Sequence, residues 1–262
     1  MNGNAPIRLP TSFKEKVWGT MDLGPWYPAP DKKIGEVWFE ADIPLLVKFV
    51  FTSGRLSVQV HPDDAFAAAH EHSPGKTEMW YVMRAEPGAQ IGLGFREPVT
   101  RERLRESAVN GEIEHLLHWV EVKQGDAFFI PAGTVHAIGP GLAICEVQQH
   151  SDITYRLYDY GRPRELHLDK AVQVASTQAH DAKPVVLPID CQYFHTELDR
   201  IHIPITYPRN PERFHVLVFL SGMGTIAGQP FVEGEAWLVP KGADPFSISP
   251  AESAKFLRTW VR

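Results

Sequence analysis

Four residues in two short stretches have the types and spacing to hold one divalent cation. The first stretch is Leu56-Ser57-Val58-Gln59-Val60-His61-Pro62-Asp63-Asp64, followed by Gly75-Lys76-Thr77-Glu78. The second is Gly125-Asp126-Ala127-Phe128-Phe129-Ile130-Pro131-Ala132-Gly133-Thr134-Val135-His136. Gln59 and His61 stand two apart in a β-like run, so their side chains leave a strand on one face while Val58 and Val60 leave on the other. Two polar groups turned into a barrel are costly unless they bind something. Pro131 and Gly133 make a tight turn that returns His136 toward the same interior, and Glu78 adds an anionic ligand. Two neutral imidazoles, one carboxylate and one amide oxygen suit Zn²⁺ best, one ion per chain, with Fe²⁺, Mn²⁺ and Co²⁺ as alternatives. Open positions would serve water or substrate.

Such a set needs strands to position it, and the composition supplies them. In 262 residues, 22 Pro and 20 Gly cut the chain into short apolar segments, the pattern of many short strands joined by turns. Strands are expected at residues 45–51, 56–60, 79–83, 89–93, 119–122, 127–130 and 143–148, and after residue 185 at 193–198, 215–221, 224–226, 236–240 and 256–261. Helical patterns cover 63–70, with Pro62 at its start; 100–109, with Thr100 as N-cap; and 169–176, after Arg162-Pro163-Arg164-Glu165. Glu235-Ala236-Trp237-Leu238-Val239-Pro240-Lys241-Gly242 repeats the rhythm of residues 126–133: acid, apolar strand, Pro, one residue, Gly. Pro245 stands where the first copy has His136. The expected organisation is mainly β, two jelly-roll barrels in tandem with few short helices. Residues 1–165 would form an N-terminal segment and the metal-binding barrel, 166–190 a linker with a short helix, and 191–262 a second, metal-free barrel.

The remaining composition excludes several functions. Hydrophobic content of 44% and charged content of 22% are those of a globular chain. A formal net charge of -6 argues against nucleic acid as a partner. Of two cysteines, Cys145 lies in the apolar run Leu142-Ala143-Ile144-Cys145 and reads as a buried free thiol, with no disulfide framework. Met1-Asn2-Gly3-Asn4-Ala5-Pro6 has neither a basic nor an apolar leader region, so no signal peptide is expected. Apolar runs such as 43–51 contain Pro44 and Lys48 and are too short to span a bilayer. A cytoplasmic location and no membrane partner are therefore expected.

The spacing of residues 125–136 (Gly, five residues, Pro, one residue, Gly, two residues, His) resembles the second motif of the cupin superfamily, a fold with many chemistries. The first segment departs from the commonest cupin pattern, because Gln59 replaces a histidine and Glu78 lies 17 residues after His61. That departure resembles the type I phosphomannose isomerases. Their signature looks like Leu-Ser-Val-Gln-Val-His-Pro-Asp-Asp, then Gly-Lys-Thr-Glu-x-Trp-Tyr, then Ile-Pro-Ala-Gly-Thr-Val-His, then Ser-Asp-x-Thr-Tyr-Arg. The last stands here as Ser151-Asp152-Ile153-Thr154-Tyr155-Arg156. The resemblance starts near Lys16-Val17-Trp18-Gly19, stays strong to about Leu168 and thins beyond it. The chain is short for the family and lacks the helical insertion of longer members, so a more open pocket is expected.

The resemblance implies that Gln59, His61, Glu78 and His136 are zinc ligands and that Arg156 is the active-site arginine. It puts Ser57 and Lys76 near the substrate and Asp152 and Glu146 in the pocket wall; by residue type, Trp18 is a candidate to stack on the sugar, with core packing as the commoner role of such a residue. The implied reaction interconverts mannose 6-phosphate and fructose 6-phosphate through a cis-enediol, with a cation and Arg156 stabilising the developing charge. The partner is then a small sugar phosphate, acted on by a monomer or homodimer. Lys76 suits the phosphate or proton donation for ring opening. The proton-transferring base is open among Asp152, Glu146, Lys76 and a water on the metal. A non-catalytic sugar-binding cupin and an iron-dependent cupin oxidoreductase are the competing readings. His70 and His72 read as exposed, and His115 and His118 as belonging to a helix end or loop.

Overall fold

Three strands buried on both faces, Leu45–Thr52, Glu78–Ala85 and Leu142–Gln149, set the architecture seen in a computed structural model that describes residues 4–262. Residues 1–3, part of the stretch read for a leader, lie outside the described residues. In chain order the strands are β1 (Ile7–Arg8), β2 (Thr11–Thr20), β3 (Ile34–Phe39), β4 (Leu45–Thr52), β5 (Val58–Val60), β6 (Glu78–Ala85), β7 (Gln90–Phe95), β8 (Leu117–Glu121), β9 (Ala127–Ile130), β10 (His136–Ile138), β11 (Leu142–Gln149), β12 (Tyr155–Tyr158), β13 (Ile189–Asp190), β14 (His195–Ile201), β15 (Ile205–Tyr207), β16 (His215–Ile226), β17 (Gln229–Val232), β18 (Ala236–Val239) and β19 (Phe246–Trp260). The helices among them are α1 (Asp64–Glu71), α2 (Arg101–Asn110), α3 (Ile113–Leu116) and α4 (Leu168–Val174).

The first barrel is a jelly roll made of two antiparallel sheets, β2-β3-β4-β11-β6-β9 and β12-β5-β10-β7-β8. Successive strand residues point to opposite faces. In β4, β6 and β11 one set faces into this barrel: Val50, Trp80, Val82, Leu142 and Ile144 pack there with Ile91, Leu93 and Ile138. The other set (Val47, Phe49, Phe51, Met79, Tyr81, Cys145 and Val147) packs outward against Val216, Val218, Leu220 and Leu257 of the second barrel. This double burial is why these strands read as unbroken apolar runs. The outer face of the five-stranded sheet, including Val58, Val60, Ala137 and Leu157, is covered by Leu104 and Ala108 of α2 and Ala171 and Val172 of α4.

The second barrel curls from a single eight-stranded sheet in which β16 and β19, 12 and 15 residues long, carry register shifts near Phe219 and Gly222. Bulges of this kind bend strands and let one sheet close on itself. Its interior is filled by Leu217, Phe219, Phe231, Trp237, Ile248 and Phe256. β1 belongs to this sheet too: Ile7 pairs with Leu238 and Arg8 with Trp237.

Several boundaries differ from expectation. β2 and β3 carry no sequence expectation. β2 is the edge strand of its sheet and alternates exposed and half-exposed residues, so it shows little apolar signal. Residues 224–226 are not a separate strand but the far end of β16, and β19 begins at Phe246 rather than 256 because its bulged first half pairs with β15 and β16. The short α3 is also unexpected. α1 and α2 lie within a residue of expectation, with the Asp63 and Thr100 side chains accepting from the backbone N–H of Phe66 and Arg103.

Candidate metal centre

The site forms where the two sheets of the first barrel face each other. Across the five-stranded sheet, Gln59 is paired with His136 on one side and Arg156 on the other, so β5 gathers three of the expected side chains into one row. Across the six-stranded sheet, Glu146 pairs with Lys48 and with Trp80, and Gln148 pairs with Glu78. Gly133 adopts φ +86, a conformation favouring glycine, and its N–H donates to the carbonyl of His61 at 2.8 Å. The turn before His136 is thereby tied to the strand end carrying His61. Gly75 is needed for a different reason: a Cβ there would lie 2.5 Å from the backbone of Asp63. That close approach lets the Lys76 N–H donate to the carbonyl of Pro62 and brings Lys76 and Glu78 under the ligand row.

His61, Glu78 and His136 converge, with one ligand atom from each lying within 4.8 Å of the others. His61 Nε2 is 3.6 Å from Glu78 Oε2, and His136 Nε2 is 3.4 Å from Glu78 Oε1. Each imidazole donates its Nδ1–H to a carbonyl, His61 to Ile153 at 2.8 Å and His136 to Thr134 at 2.8 Å. Both Nε2 lone pairs are thereby left facing the carboxylate, the arrangement metal-binding histidines use. Burial, together with the nearby Lys76 charge, pushes His61 well below the usual imidazole range, and burial pushes His136 down to about 4, so both rings are neutral. Neither oxygen of Glu78 receives a hydrogen bond, although the residue is 1% exposed. The Lys76 ammonium sits against this cluster, 3.1 Å from His61 Nε2 and 3.2 Å from Glu78 Oε2. Neutral imidazoles, an unsatisfied buried carboxylate and a positive group drawn in beside them all fit a divalent cation. Gln59 borders the cluster, its Nε2 3.3 Å from His136 Nε2 and its Oε1 3.5 Å from Ser57 Oγ.

A pocket of about 320 Å³ opens over this floor. Gln59, Ser57, Trp18, Lys76, Glu146, Asp152 and Arg156 all line it, so every expected substrate or catalytic residue reaches one cavity. Ser57, Trp18, Lys76 and Glu146 are buried, whereas Asp152 is exposed at the rim. Arg156 donates through Nη1 to the carbonyl of Glu165 at 3.2 Å. Burial and the Glu78 charge raise the Glu146 carboxyl above the usual range.

The sequence reading missed Lys16, Glu36, Lys48, Arg164 and His167, which line the same pocket. Lys48 is 6% exposed and pairs with Glu146 at 3.1 Å and Glu36 at 3.6 Å. Burial alone would lower its pKa, but the two carboxylates outweigh that and raise it. A lysine within an otherwise apolar strand was the signal available for Lys48. Arg164 is held by two bonds of 2.6 Å to the buried Asp159. The histidines set aside behave as expected in part: His70 and His72 are exposed, while His115 lies in α3 and His118 in strand β8. Among the described residues the second barrel contributes no member to a His, Cys, Asp or Glu cluster of this kind. There, β18 ends in Pro240 and a positive-φ Gly242 as β9 ends in Pro131 and Gly133, but Pro245 follows.

No protein-family model matches the chain. The mannose-6-phosphate isomerase ManA of Bacillus subtilis (strain 168) is 33% identical over 93% of this chain and 95% of that protein. The probable mannose-6-phosphate isomerase GmuF of the same organism is 34% identical over 64% of this chain and 68% of its own length. Among solved structures, the mannose 6-phosphate isomerase from Bacillus subtilis superimposes with a TM-score of 0.88 at 26% identity, covering 97% of this chain and 99% of that one.

Proposed function

The chain belongs to the mannose-6-phosphate isomerase family, and on that premise we propose that it interconverts mannose 6-phosphate and fructose 6-phosphate as a zinc-dependent aldose–ketose isomerase. One observation carries the reading: His61, Glu78 and His136 converge within 4.8 Å beneath a pocket that also holds Lys76, Glu146 and Arg156. Gln59, whose amide nitrogen faces His136, would complete the donor set through its amide oxygen once the amide turns over, for one ion per chain. The oxygen and nitrogen donors suit Zn²⁺. When bound, the cation would supply positive charge to offset the negative charge that develops on the substrate.

The side chains of the protein do the rest. The reaction moves a proton between C1 and C2 and another between O1 and O2 by way of a cis-enediol. Lys76 Nζ and Glu146 Oε1, 3.9 Å apart, form a buried acid–base pair beside the ligands. Arg156 stays charged throughout and opposes the negative charge that develops on the enediol oxygens. Arg164 presents a cation to the phosphate, Ser57 offers a hydroxyl, and Trp18 offers an aromatic face to the sugar. Asp152 lines the pocket from its exposed side and is the third acid–base candidate.

The substrate is a small sugar phosphate, and the protein acts as a monomer or a homodimer. Among the described residues no helix is long and apolar enough to cross a membrane. Two free cysteines support a reducing, cytoplasmic setting. Residues 1–165 are read as the metal-binding unit apart from β1, 166–190 as its tether apart from β13, and 191–262 as a metal-free support whose sheet takes in both of those strands. A coupled assay on protein of verified zinc content tests the activity. Interconversion that is lost on chelation and regained with zinc is expected, and a zinc-loaded protein with no turnover would sink the proposal.

A further inference from the structure

Glu36 stands at one end of an unbroken run of charges that finishes at the metal ligands. Lys16 Nζ is 3.1 Å from Glu36 Oε2, and Lys48 Nζ is 3.6 Å from Glu36 Oε1 and 3.1 Å from Glu146 Oε1. Lys76 Nζ then lies 3.9 Å from that same Glu146 oxygen and 3.2 Å from Glu78 Oε2. Glu36, Lys48, Glu146, Lys76 and Glu78 are each no more than 9% exposed. The other oxygen of Glu146 accepts from Trp80 Nε1 at 3.2 Å, so both lysines depend on Oε1 alone. Glu36 is itself pinned, because its Oε2 accepts from Trp38 Nε1 at 3.1 Å.

A buried ammonium must be surrounded by acceptors. Lys48 has two carboxylates. If the Glu36 charge were removed, its flexible stem would turn wholly onto Glu146 Oε1. That oxygen would then be drawn from Lys76, and the acid–base pair would lose its spacing. We infer that Glu36 is a positioning residue for the isomerisation: by sharing Lys48 it leaves Glu146 Oε1 open to Lys76. This inference rests on the isomerase reading above.

The test compares wild type, Glu36→Gln, Glu36→Asp, Lys48→Met and the Glu36→Gln/Lys48→Met double variant as zinc-loaded proteins, with zinc content and thermal midpoint recorded, in an assay with mannose 6-phosphate. Glu36→Gln keeps the volume and the acceptor for Trp38 but removes the charge. Its kcat should fall about 10- to 100-fold with KM changed less than about threefold, since a small displacement of reacting groups costs that much. Glu36→Asp, which keeps the charge but withdraws it by one methylene, should lie between Gln and wild type. In the Lys48→Met background Glu36→Gln should cost less than about twofold more, because the two act as one unit. An unchanged kcat in Glu36→Gln, or the same loss in both backgrounds, overturns the inference while leaving the isomerase reading intact. A zinc-loaded wild type without turnover overturns that reading, and the inference with it.

Discussion

His136 serves the proposed cation most directly, because its Nδ1–H is spent on Thr134 while its Nε2 faces Glu78 Oε1 at 3.4 Å, with the Gln59 amide nitrogen 3.3 Å away. Replacing it by alanine should lower zinc affinity by more than about 100-fold while the barrel keeps its β circular dichroism. Zinc retained at one per chain in His136→Ala would contradict the ligand assignment. Arg156 plays a different part, since it lines the pocket without touching the cluster. Arg156→Ala should therefore lower kcat/KM by about 100-fold or more, on the scale of a lost oxyanion-stabilising donor, with metal content unchanged. Undiminished turnover would remove it from the mechanism. The convergence of His61 and His136 was legible in sequence because a Gly-Pro-Gly-punctuated turn and a period-two Gln-Val-His run each fix a direction. Lys48 stood out only as a lysine in an apolar run, with nothing to say which way it points. In β4 both faces are buried, so no alternation marks which side chains enter the barrel.

Among the elements, the Pro131–Gly133 turn couples local backbone to the site. Gly133 sits at φ +86, its N–H holds His61, and a Cβ there would stand 3.0 Å from the carbonyl of Val174. Gly133→Ala should destabilise the protein by about 1–3 kcal/mol and weaken zinc binding along with it. A denaturation midpoint equal to wild type would show that the turn is not under this constraint. The same Pro-x-Gly rhythm made the second barrel legible, and β18 and Gly242 reproduce it. What stayed hidden was the reach of β16 and β19. Their bulges and Pro250 interrupt the strand pattern, which only pairing with β15, β16 and β17 makes continuous.

For the molecule as a whole, stability should carry a pH signature from its buried histidines, His61 and His136 in the first barrel and His215 in the second. His215 is 5% exposed and accepts from the Tyr207 hydroxyl at 2.6 Å. Burial, reinforced by Arg258 and Arg213, lowers its pKa from 6.5 to about 4. The unfolded chain takes up this proton first, so His215 is silent above pH 6.5 and its contribution to stability is lost as pH falls toward 4. His215→Gln should flatten the fall in thermal midpoint across that window relative to wild type. Parallel profiles would exclude His215 as its source. The two barrels share one apolar interface, from Phe49 and Cys145 to Val218 and Leu257.

β1 adds a constraint of time to that shared interface. Ile7 finds its partner in Leu238, and Leu9 donates its N–H to the carbonyl of Ala236. During synthesis the first strand must wait, its edge unpaired, until nearly every other element has emerged. Its docking is thus a late contact of very long sequence separation, the kind that slows folding. The candidate metal ligands all lie before residue 140 and can come together early, whereas β1 pairs only with a strand near residue 238.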